Sequence, residues 1–300
     1  LFQMQYTCYM ITPQTDEKFL AQALDIASII LKREDLHPYG SHKGRSIPHM
    51  IDHYAKAGRE YFAISSSGNA ALAAAIHIQK KIEQGKKMHL DIIIGQKIPP
   101  QKRELLEKHI DGKNIVIHSV LRPLQYLHEL CTQDDSIQNL RQSIDNTALT
   151  GYHSLASELE SIPHLSAVFM GTSSGTTLEA LGDMFHVNKK MIELHAVQTT
   201  SCHPIAGSFD ESETSEQSIA DAIVDITAHR KVTVGHALKL SLGSGWIVTN
   251  SEIQKAQDML KKYAQIDATP NGALGLAGLI KALASGKRFS GPVVCIICGM

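Results

Sequence analysis

The sequence predicts an α/β fold of two interleaved domains, each an open, mostly parallel sheet with helices on both faces. Short apolar runs alternate with amphipathic segments of helical length, which is the pattern of a parallel sheet with crossover helices. A chain of 300 residues is long for one hydrophobic core, so we expect two closely packed domains. No long linker separates them, which indicates that they interleave. Residues 1–58 and 163–300 would form the larger domain, and residues 59–162 the smaller one.

The individual elements follow from hydrophobic periodicity along the chain. Residues 16–32 have apolar positions at helical spacing and end in the strand-like run 29–31. Other apolar runs bounded by turn residues predict strands at 61–64, 90–94, 114–118, 167–170, 191–197 and 293–297. Apolar residues that recur at intervals of three and four predict helices at 46–56, 70–83, 100–109, 147–161, 177–185, 218–228, 252–263 and 274–284.

Composition excludes several classes of partner. The apolar share of 43% and the charged share of 20% are those of an ordinary globular protein. A net charge of −1 provides no basic surface for nucleic acid or acidic membranes, and no apolar run approaches the length of a membrane span. Five scattered cysteines and a sequence without a signal-peptide pattern favour free thiols in a reducing compartment. We therefore expect a cytoplasmic protein with no nucleic-acid or membrane partner.

Lys43 is the most informative single residue. It follows the turn Pro38-Tyr39-Gly40 and precedes the helical pattern at 46–56. A lysine ammonium is strongly hydrated, so a lysine fixed at such a junction suggests covalent chemistry, because a desolvated amine forms a Schiff base with an aldehyde. The alternative is a solvated surface turn, which is the ordinary environment of a lysine.

Two loops predict anion-binding sites. Residues 65–69, Ser-Ser-Ser-Gly-Asn, follow the strand predicted at 61–64, and residues 171–177, Gly-Thr-Ser-Ser-Gly-Thr-Thr, follow the strand predicted at 167–170. Each is a strand, a hydroxyl-rich turn and then a helix, so free backbone N–H groups and the positive end of the helix dipole point at one place. The first loop could instead be a plain helix cap. The second could hold a nucleotide, although it lacks the lysine of a Walker A motif and the spacing G-x-G-x-x-G.

A reactive lysine together with an anion site suggests pyridoxal phosphate, which carries both an aldehyde and a phosphate. No metal is expected. Cys295 and Cys298 have the spacing of a metal-binding pair, but residues three apart on a strand point to opposite faces.

These motifs resemble those of the fold-type II pyridoxal-phosphate enzymes, the superfamily of threonine synthase, threonine dehydratase, cysteine synthase and the tryptophan synthase β chain. Residues 32–45, Lys-Arg-Glu-Asp-Leu-x-Pro-x-Gly-Ser-x-Lys-x-Arg, are similar to the family's Schiff-base lysine motif. Residues 66–70 are similar to its asparagine loop, and residues 171–177 to its phosphate-binding loop. The chain departs from the family at Gly44, where Asp is common, while His42 is similar to the tryptophan synthase β chain.

The resemblance implies a role for each matching residue. Lys43 would be the catalytic residue and would hold the cofactor as a Schiff base, and Asn69 would hydrogen-bond the cofactor's 3′-oxygen. Cys298 stands where a Ser or Thr of the family meets the pyridine nitrogen. The implied ligands of the cofactor phosphate are Gly171, Thr172, Ser173, Ser174, Gly175 and Thr176. The implied ligands of the substrate carboxylate are Ser66, Ser67, Gly68, Asn69 and Ala70.

The resemblance also implies a function. The chain would be a pyridoxal-phosphate-dependent lyase that acts on a hydroxy or phosphorylated amino acid by β- or γ-elimination or replacement. It would be a homodimer with a larger cofactor-binding domain and a smaller movable domain that carries the asparagine loop. The polar segment 208–218 would be a surface connection or a lid. Three alternatives stay open: a cysteine synthase-like β-replacement transferase, a non-catalytic protein that binds pyridoxal phosphate or an amino acid, and a nucleotide-dependent oxidoreductase on a similar sheet.

Overall fold

The structure, a computed structural model, describes residues 10–110, 112–211 and 215–299. Its strands are β1 (Gln14–Asp16), β2 (Ile29–Arg33), β3 (Tyr61–Ser65), β4 (His89–Gly95), β5 (Ile115–Val120), β6 (Ile137–Asn139), β7 (Ala167–Gly171), β8 (Glu193–Thr199), β9 (Ser244–Val248) and β10 (Val293–Ile297). Its helices are α1 (Lys18–Leu24), α2 (Lys43–Lys56), α3 (Asn69–Glu83), α4 (Pro100–Glu107), α5 (Pro123–Gln133), α6 (Thr147–Thr150), α7 (His153–Glu160), α8 (Thr176–Val187), α9 (Lys231–Leu240), α10 (Asn250–Met259) and α11 (Pro270–Ala284). Within these ranges no helix is both long enough and apolar enough to cross a lipid bilayer.

The larger sheet has six strands in the order β1-β2-β10-β7-β8-β9. β1 is antiparallel to β2, and the other pairs are parallel. The strand β10 lies between β2 and β7, where Val293 pairs with both Ile29 and Ala167. Because β10 is apolar and buried on both sides, it joins parts of the chain that are far apart in sequence into one core.

The smaller sheet has four parallel strands in the order β5-β4-β3-β6. Its strands come from residues 61–139, between β2 and β7 of the larger sheet. Ala63 of β3 pairs with Asn139 of β6, and the N–H of Leu140 donates to the carbonyl of Ala63 at 2.9 Å. The carboxyl ends of parallel strands lie at one edge, so the loops that follow β3 and β6 are neighbours.

Helices cover both faces of the larger sheet. One hydrophobic cluster includes Phe169 of β7 together with Ile253 of α10 and Leu274 of α11. A second, on the other face, includes Met170 of β7 and Leu178 of α8. The prediction of a mixed α/β fold with parallel sheets flanked by helices is therefore confirmed.

The helix α2 packs against the smaller sheet. Ile47, Met50 and Ile51 are fully buried in the cluster that contains Phe62 of β3 and Leu72 of α3. The sequence predicts that residues 1–58 belong to the larger domain. In the structure the apolar residues of α2, which recur at intervals of three and four, pack against α3. The division of the chain into a fixed and a movable domain stays a prediction.

The helix predicted at 218–228 does not form. The N–H of Ala222 donates to Asn271 Oδ1 at 3.0 Å, and those of Val224 and Asp225 both donate to Ser173 Oγ at 3.1 Å. Ser173, in the loop after β7, and Asn271, at the start of α11, thus accept the hydrogen bonds that a helix would direct to carbonyls four residues earlier.

The single helix predicted at 147–161 is divided into α6 and α7. Gly151, between them, packs on α2 so closely that a Cβ there would lie 2.5 Å from Ser46 Cα. The segment predicted as a connection or lid at 208–218 lies partly outside the described residues, at 212–214.

Candidate active site

A cavity of about 670 Å³ lies between the two sheets, at the carboxyl ends of their strands. Its wall includes residues that follow β3, β4 and β6 of the smaller sheet and β7 of the larger one. The residues that the sequence predicted for cofactor and substrate binding all line this cavity: Lys43, Ser66, Ser67, Gly68, Asn69, Ala70, Gly171, Thr172, Ser173, Ser174, Gly175, Thr176 and Cys298. The fold brings them together, while the role of each stays a prediction.

Lys43 is the first residue of α2 and lies half-buried in the cavity wall. Its backbone N–H donates to Ser41 Oγ at 3.2 Å, which fixes the entry into the helix. Burial raises the pKa of the Cys298 thiol to about 12, and the Lys43 charge is close enough to oppose that rise. Lys43 and Cys298 thus line the same cavity.

His42 lies in the cavity wall beside Lys43 and is buried. Burial, together with the positive charges of Lys43 and Arg45, holds the pKa of His42 well below its usual range. The ring stacks on that of Tyr152, with 6.2 Å between centroids, and Nδ1 has no hydrogen-bond partner among the described residues. His42 is therefore a neutral side chain near pH 7.

The N-terminus of α3 forms the first of two anion cradles, by which we mean helix starts that line the cavity. The N–H of Gly68 donates to Ser66 Oγ at 3.3 Å, and the Gly68 carbonyl accepts from Leu72 at 3.1 Å, so the turn is preformed. α3 is 15 residues long, and the N–H groups of a helix's first turn have no helical acceptor. These groups and the helix dipole attract a carboxylate or a phosphate.

The second cradle precedes α8. Among the described residues, the N–H groups of Ser173, Ser174 and Gly175 donate to no backbone carbonyl. Gly175 has a φ of +87°, and a Cβ there would lie 2.7 Å from Val234 Cγ2, so only glycine fits this position without strain. The hydroxyls of Ser174 and Thr176 lie 3.0 Å apart. The loop thus offers several N–H and O–H donors to one anion.

Arg230 keeps this second cradle electropositive. Its Nη1 pairs with the carboxylate of Glu179, in the first turn of α8, at 2.8 Å. Its Nη2 donates to the carbonyls of Gln142 and Asp145, both at 2.9 Å. Because Glu179 is neutralised by this buried guanidinium, the helix start keeps its attraction for an anion.

The residues of the cavity fit pyridoxal phosphate. The cofactor requires an amine for its aldehyde, several hydrogen-bond donors for its phosphate and room for its ring. The Lys43 amine, the unpaired N–H groups of Ser173, Ser174 and Gly175, and a cavity of about 670 Å³ provide these three. A parallel α/β sheet with such a site defines an enzyme of the pyridoxal-phosphate class.

Comparison with known proteins gives the family. Residues 7–299 match the pyridoxal-phosphate dependent enzyme family, and the chain belongs to it. The predictions of the family and of its cofactor, pyridoxal phosphate, are confirmed.

The chain is similar to several characterised members. It is 21% identical to a catabolic L-threonine dehydratase of Staphylococcus aureus, over 96% of this chain and 83% of that one. It is 24% identical to a threonine synthase of Mycobacterium leprae, over 91% of this chain and 76% of that one. Among solved structures, maize serine racemase superposes with a TM-score of 0.77 at 17% identity, covering 97% of this chain and 89% of the other. Threonine deaminase isoform 2 of Solanum lycopersicum superposes with a TM-score of 0.79 at 16% identity, covering 97% and 84%. These structures share the fold, which confirms the fold-type II prediction.

Polar residues that were not predicted for the site complete the cavity wall. Lys102 of α4 pairs with Asp221 at 2.8 Å, and Asn271 Nδ2 donates to the same carboxylate at 3.1 Å. Arg141, after β6, also lines the cavity. Asn271 belongs to a weak echo of the family, Asn-Gly-Ala before a helix, whereas no motif marks Lys102, Asp221 or Arg141, which only the packing of the two sheets brings to the cavity.

Proposed function

We propose that this protein is a pyridoxal-phosphate-dependent lyase that acts on an amino acid with a leaving group on its β- or γ-carbon. The observation that carries the proposal is the position of the Lys43 amine in one cavity with two anion cradles. One cradle matches the phosphate of the cofactor and the other the carboxylate of an amino acid. The dehydratase and threonine synthase relatives support this choice of reaction.

Lys43 is the proton carrier in the proposed reaction. Pyridoxal phosphate, when bound, stabilises negative charge on the α-carbon of the substrate. The Lys43 amine holds the cofactor and then removes the α-proton as a general base. The amine is half-buried beside the neutral His42, which is the only histidine among the described residues that line the cavity.

Cys298 favours elimination and replacement over transamination in this proposal. The thiol lies in the cavity, and its pKa of about 12 keeps it neutral near pH 7. Beside the pyridine nitrogen, a neutral thiol would stabilise a ring proton much less than a carboxylate would. We assign the phosphate to the N–H groups and hydroxyls of residues 171–176 and the cofactor's 3′-oxygen to Asn69.

The smaller sheet with its asparagine loop would be the movable part. Ser66, Ser67, Gly68, Asn69 and Ala70 would bind the substrate carboxylate and bring α3 toward the second cradle at the start of α8. The ion pair between Lys102 of α4 and Asp221 joins the two sides of the cavity and would support the closed form. Closure would exclude water from the reacting atoms.

We further propose a cytoplasmic homodimer. Cys131, Cys202, Cys295 and Cys298 are free thiols, which suits a reducing compartment. Light scattering of the purified protein tests the dimer, which a mass near that of one 32.8 kDa chain would contradict.

The first experiment is a visible absorption spectrum of the protein loaded with pyridoxal phosphate, beside Lys43→Ala. We expect a visible band in the wild type that is lost in the variant, since the lysine makes the covalent link. L-serine, L-threonine and O-phospho-L-homoserine, added in turn, should shift the band and release ammonia or phosphate. A colourless protein that cannot be reconstituted would contradict the proposal. A coloured protein without turnover would favour the binding-protein alternative, and product formed only when sulfide is added would favour β-replacement.

A further inference from the structure

Arg141 stands at the edge of the cavity beside the first anion cradle. It follows β6, whose neighbour β3 leads into the loop 65–69. Its backbone N–H donates to Asn139 Oδ1 at 2.9 Å, and its Nε donates to Ser143 Oγ at 3.0 Å. These two bonds fix the guanidinium plane and leave Nη1 and Nη2 for another partner.

Arg141 differs from the other cations of the cavity wall. Lys102 is paired with Asp221, and Lys43 is the proposed Schiff-base lysine. The remaining wall carboxylate, Asp225, accepts from the N–H of Ala228 at 3.0 Å. Among the described residues, no carboxylate lies within ion-pair distance of Arg141. A half-buried guanidinium without an acid is a strong site for a planar or tetrahedral anion.

The number of anion sites exceeds the number of anions in the simplest reaction. The cofactor contributes one phosphate and an amino acid one α-carboxylate, and the starts of α8 and α3 match these two. Arg141 provides a third site in the same cavity. A substrate that uses all three carries a second anionic group at the far end of its side chain.

We propose that Arg141 selects amino-acid substrates with a distal anionic group, either a phosphate or a carboxylate. The inference rests on the proposed lyase function and narrows its substrate class. Arg141 binds the distal anion through Nη1 and Nη2, Ser143 orients the guanidinium, and a substrate with a neutral side chain leaves this arginine without a partner.

Calorimetric titration of the cofactor-loaded protein with two groups of ligands tests the proposal. The neutral group is L-serine and L-threonine. The anionic group has a phosphate arm, O-phospho-L-serine and O-phospho-L-homoserine, and a carboxylate arm, L-aspartate and L-glutamate. We expect wild type to bind one anionic arm at least about tenfold more tightly than the neutral group, because charge-assisted hydrogen bonds to an arginine are strong. The tighter arm identifies the distal group.

Three variants separate Arg141 from its surroundings. Arg141→Gln should weaken the preferred anionic arm by about tenfold or more and the neutral group by less than about twofold. Arg141→Lys should restore part of the loss, since it keeps the charge without the planar fork. Arg103→Gln removes a surface cation that pairs with Glu107 and does not line the cavity, so it should leave the ratio of anionic to neutral affinity unchanged.

Two results would overturn the inference. If Arg141→Gln weakens the binding of neutral and anionic ligands equally, Arg141 binds the α-carboxylate that both groups share. If wild type binds neutral and anionic ligands with equal affinity, the cavity has no site for a distal anionic group. Either result leaves the proposed lyase activity intact. Selective binding without product formation would instead support the role of Arg141 and contradict the lyase activity, so the two failures can be told apart.

Discussion

Arg45 binds Glu34 through two hydrogen bonds, from Nε to Oε2 at 2.8 Å and from Nη2 to Oε1 at 2.7 Å, and both side chains are buried. Arg45 Nη1 also pairs with Glu158 of α7 at 2.7 Å, and Glu158 in turn pairs with the fully buried Lys32 of β2. Two cations and two carboxylates thus join the larger sheet to α2. Lys43 lies two residues before Arg45 in the first turn of α2, so this network anchors the backbone that carries the proposed Schiff-base lysine.

Replacing Arg45 by Met should destabilise the protein strongly. Burial tends to raise the pKa of Glu34, but the hydrogen bonds and charge of Arg45 lower it below its ordinary value, so the carboxylate depends on this partner. Removing one member of a buried ion pair costs about 3–5 kcal/mol, because the other charge stays buried without compensation. Urea denaturation measures the change in the free energy of unfolding.

The matched control is Arg103→Met, since Arg103 pairs with Glu107 at 2.7 Å on the surface. An exposed pair of this kind contributes about 0–1 kcal/mol. Equal losses in the two variants would show that the network around Glu34 adds nothing beyond a surface contact.

Asp52 should contribute fully to the stability of the protein above about pH 4 and lose this contribution in stronger acid. Burial would raise its pKa, but hydrogen bonds from His77 at 3.0 Å and Lys81 at 2.7 Å lower it to about 2. The folded pKa lies below that of the unfolded chain, so the contribution is complete above about pH 4 and disappears as the pH falls toward 2. Urea denaturation of wild type and Asp52→Asn between pH 2 and 6 should give curves that converge in acid. A constant difference over this range would contradict the assignment, and Asp267→Asn, at an exposed carboxylate, is the control.

Local motifs made much of the site predictable. The strand at 293–297 was predicted with its observed bounds, because a short, β-branched apolar run between turn residues is typical of a buried parallel strand. The loops at 65–69 and 171–177 were found because a hydroxyl-rich turn between a strand and a helix has a local signature. Lys43 was singled out because it follows a Pro/Gly turn, and the structure places it in the cavity wall.

The remaining features depend on contacts that a sequence does not display. Arg141 enters the cavity only because β6 pairs with β3. The segment 218–228 has a helical pattern, but Ser173 and Asn271, far away in sequence, accept its N–H groups. The helix α9 was not predicted. Its exposed face carries the apolar residues Val232 and Leu240, so its sequence lacks a clear separation of apolar and polar positions.

The ion pair between Lys102 and Asp221 should control opening of the cavity more than stability. Burial would raise the pKa of Asp221, whereas hydrogen bonds from Lys102 and Asn271 lower it, so the carboxylate is charged near pH 7. Asp221 is about half-exposed, so its loss should cost less than about 1 kcal/mol of folding free energy. In Asp221→Asn we expect faster hydrogen exchange in α4, with the amides of the distant α11 unchanged. Unchanged exchange in α4 would show that the pair does not restrain this helix.

Gly175→Ala should weaken cofactor binding. The residue has a φ of +87°, and the new Cβ would lie 2.7 Å from Val234 Cγ2, so the loop must shift away from α9. Strain of this kind costs about 1–3 kcal/mol, and moving the N–H groups of Ser173 and Ser174 should raise the dissociation constant of pyridoxal phosphate about tenfold or more. Titration of the visible band measures this constant. Gly235→Ala is the matched control, because nothing lies within 4 Å of a Cβ at that position in α9, and an alanine there should stabilise the helix by up to about 1 kcal/mol without changing cofactor affinity. If both variants bind the cofactor as wild type does, the start of α8 is not the phosphate site.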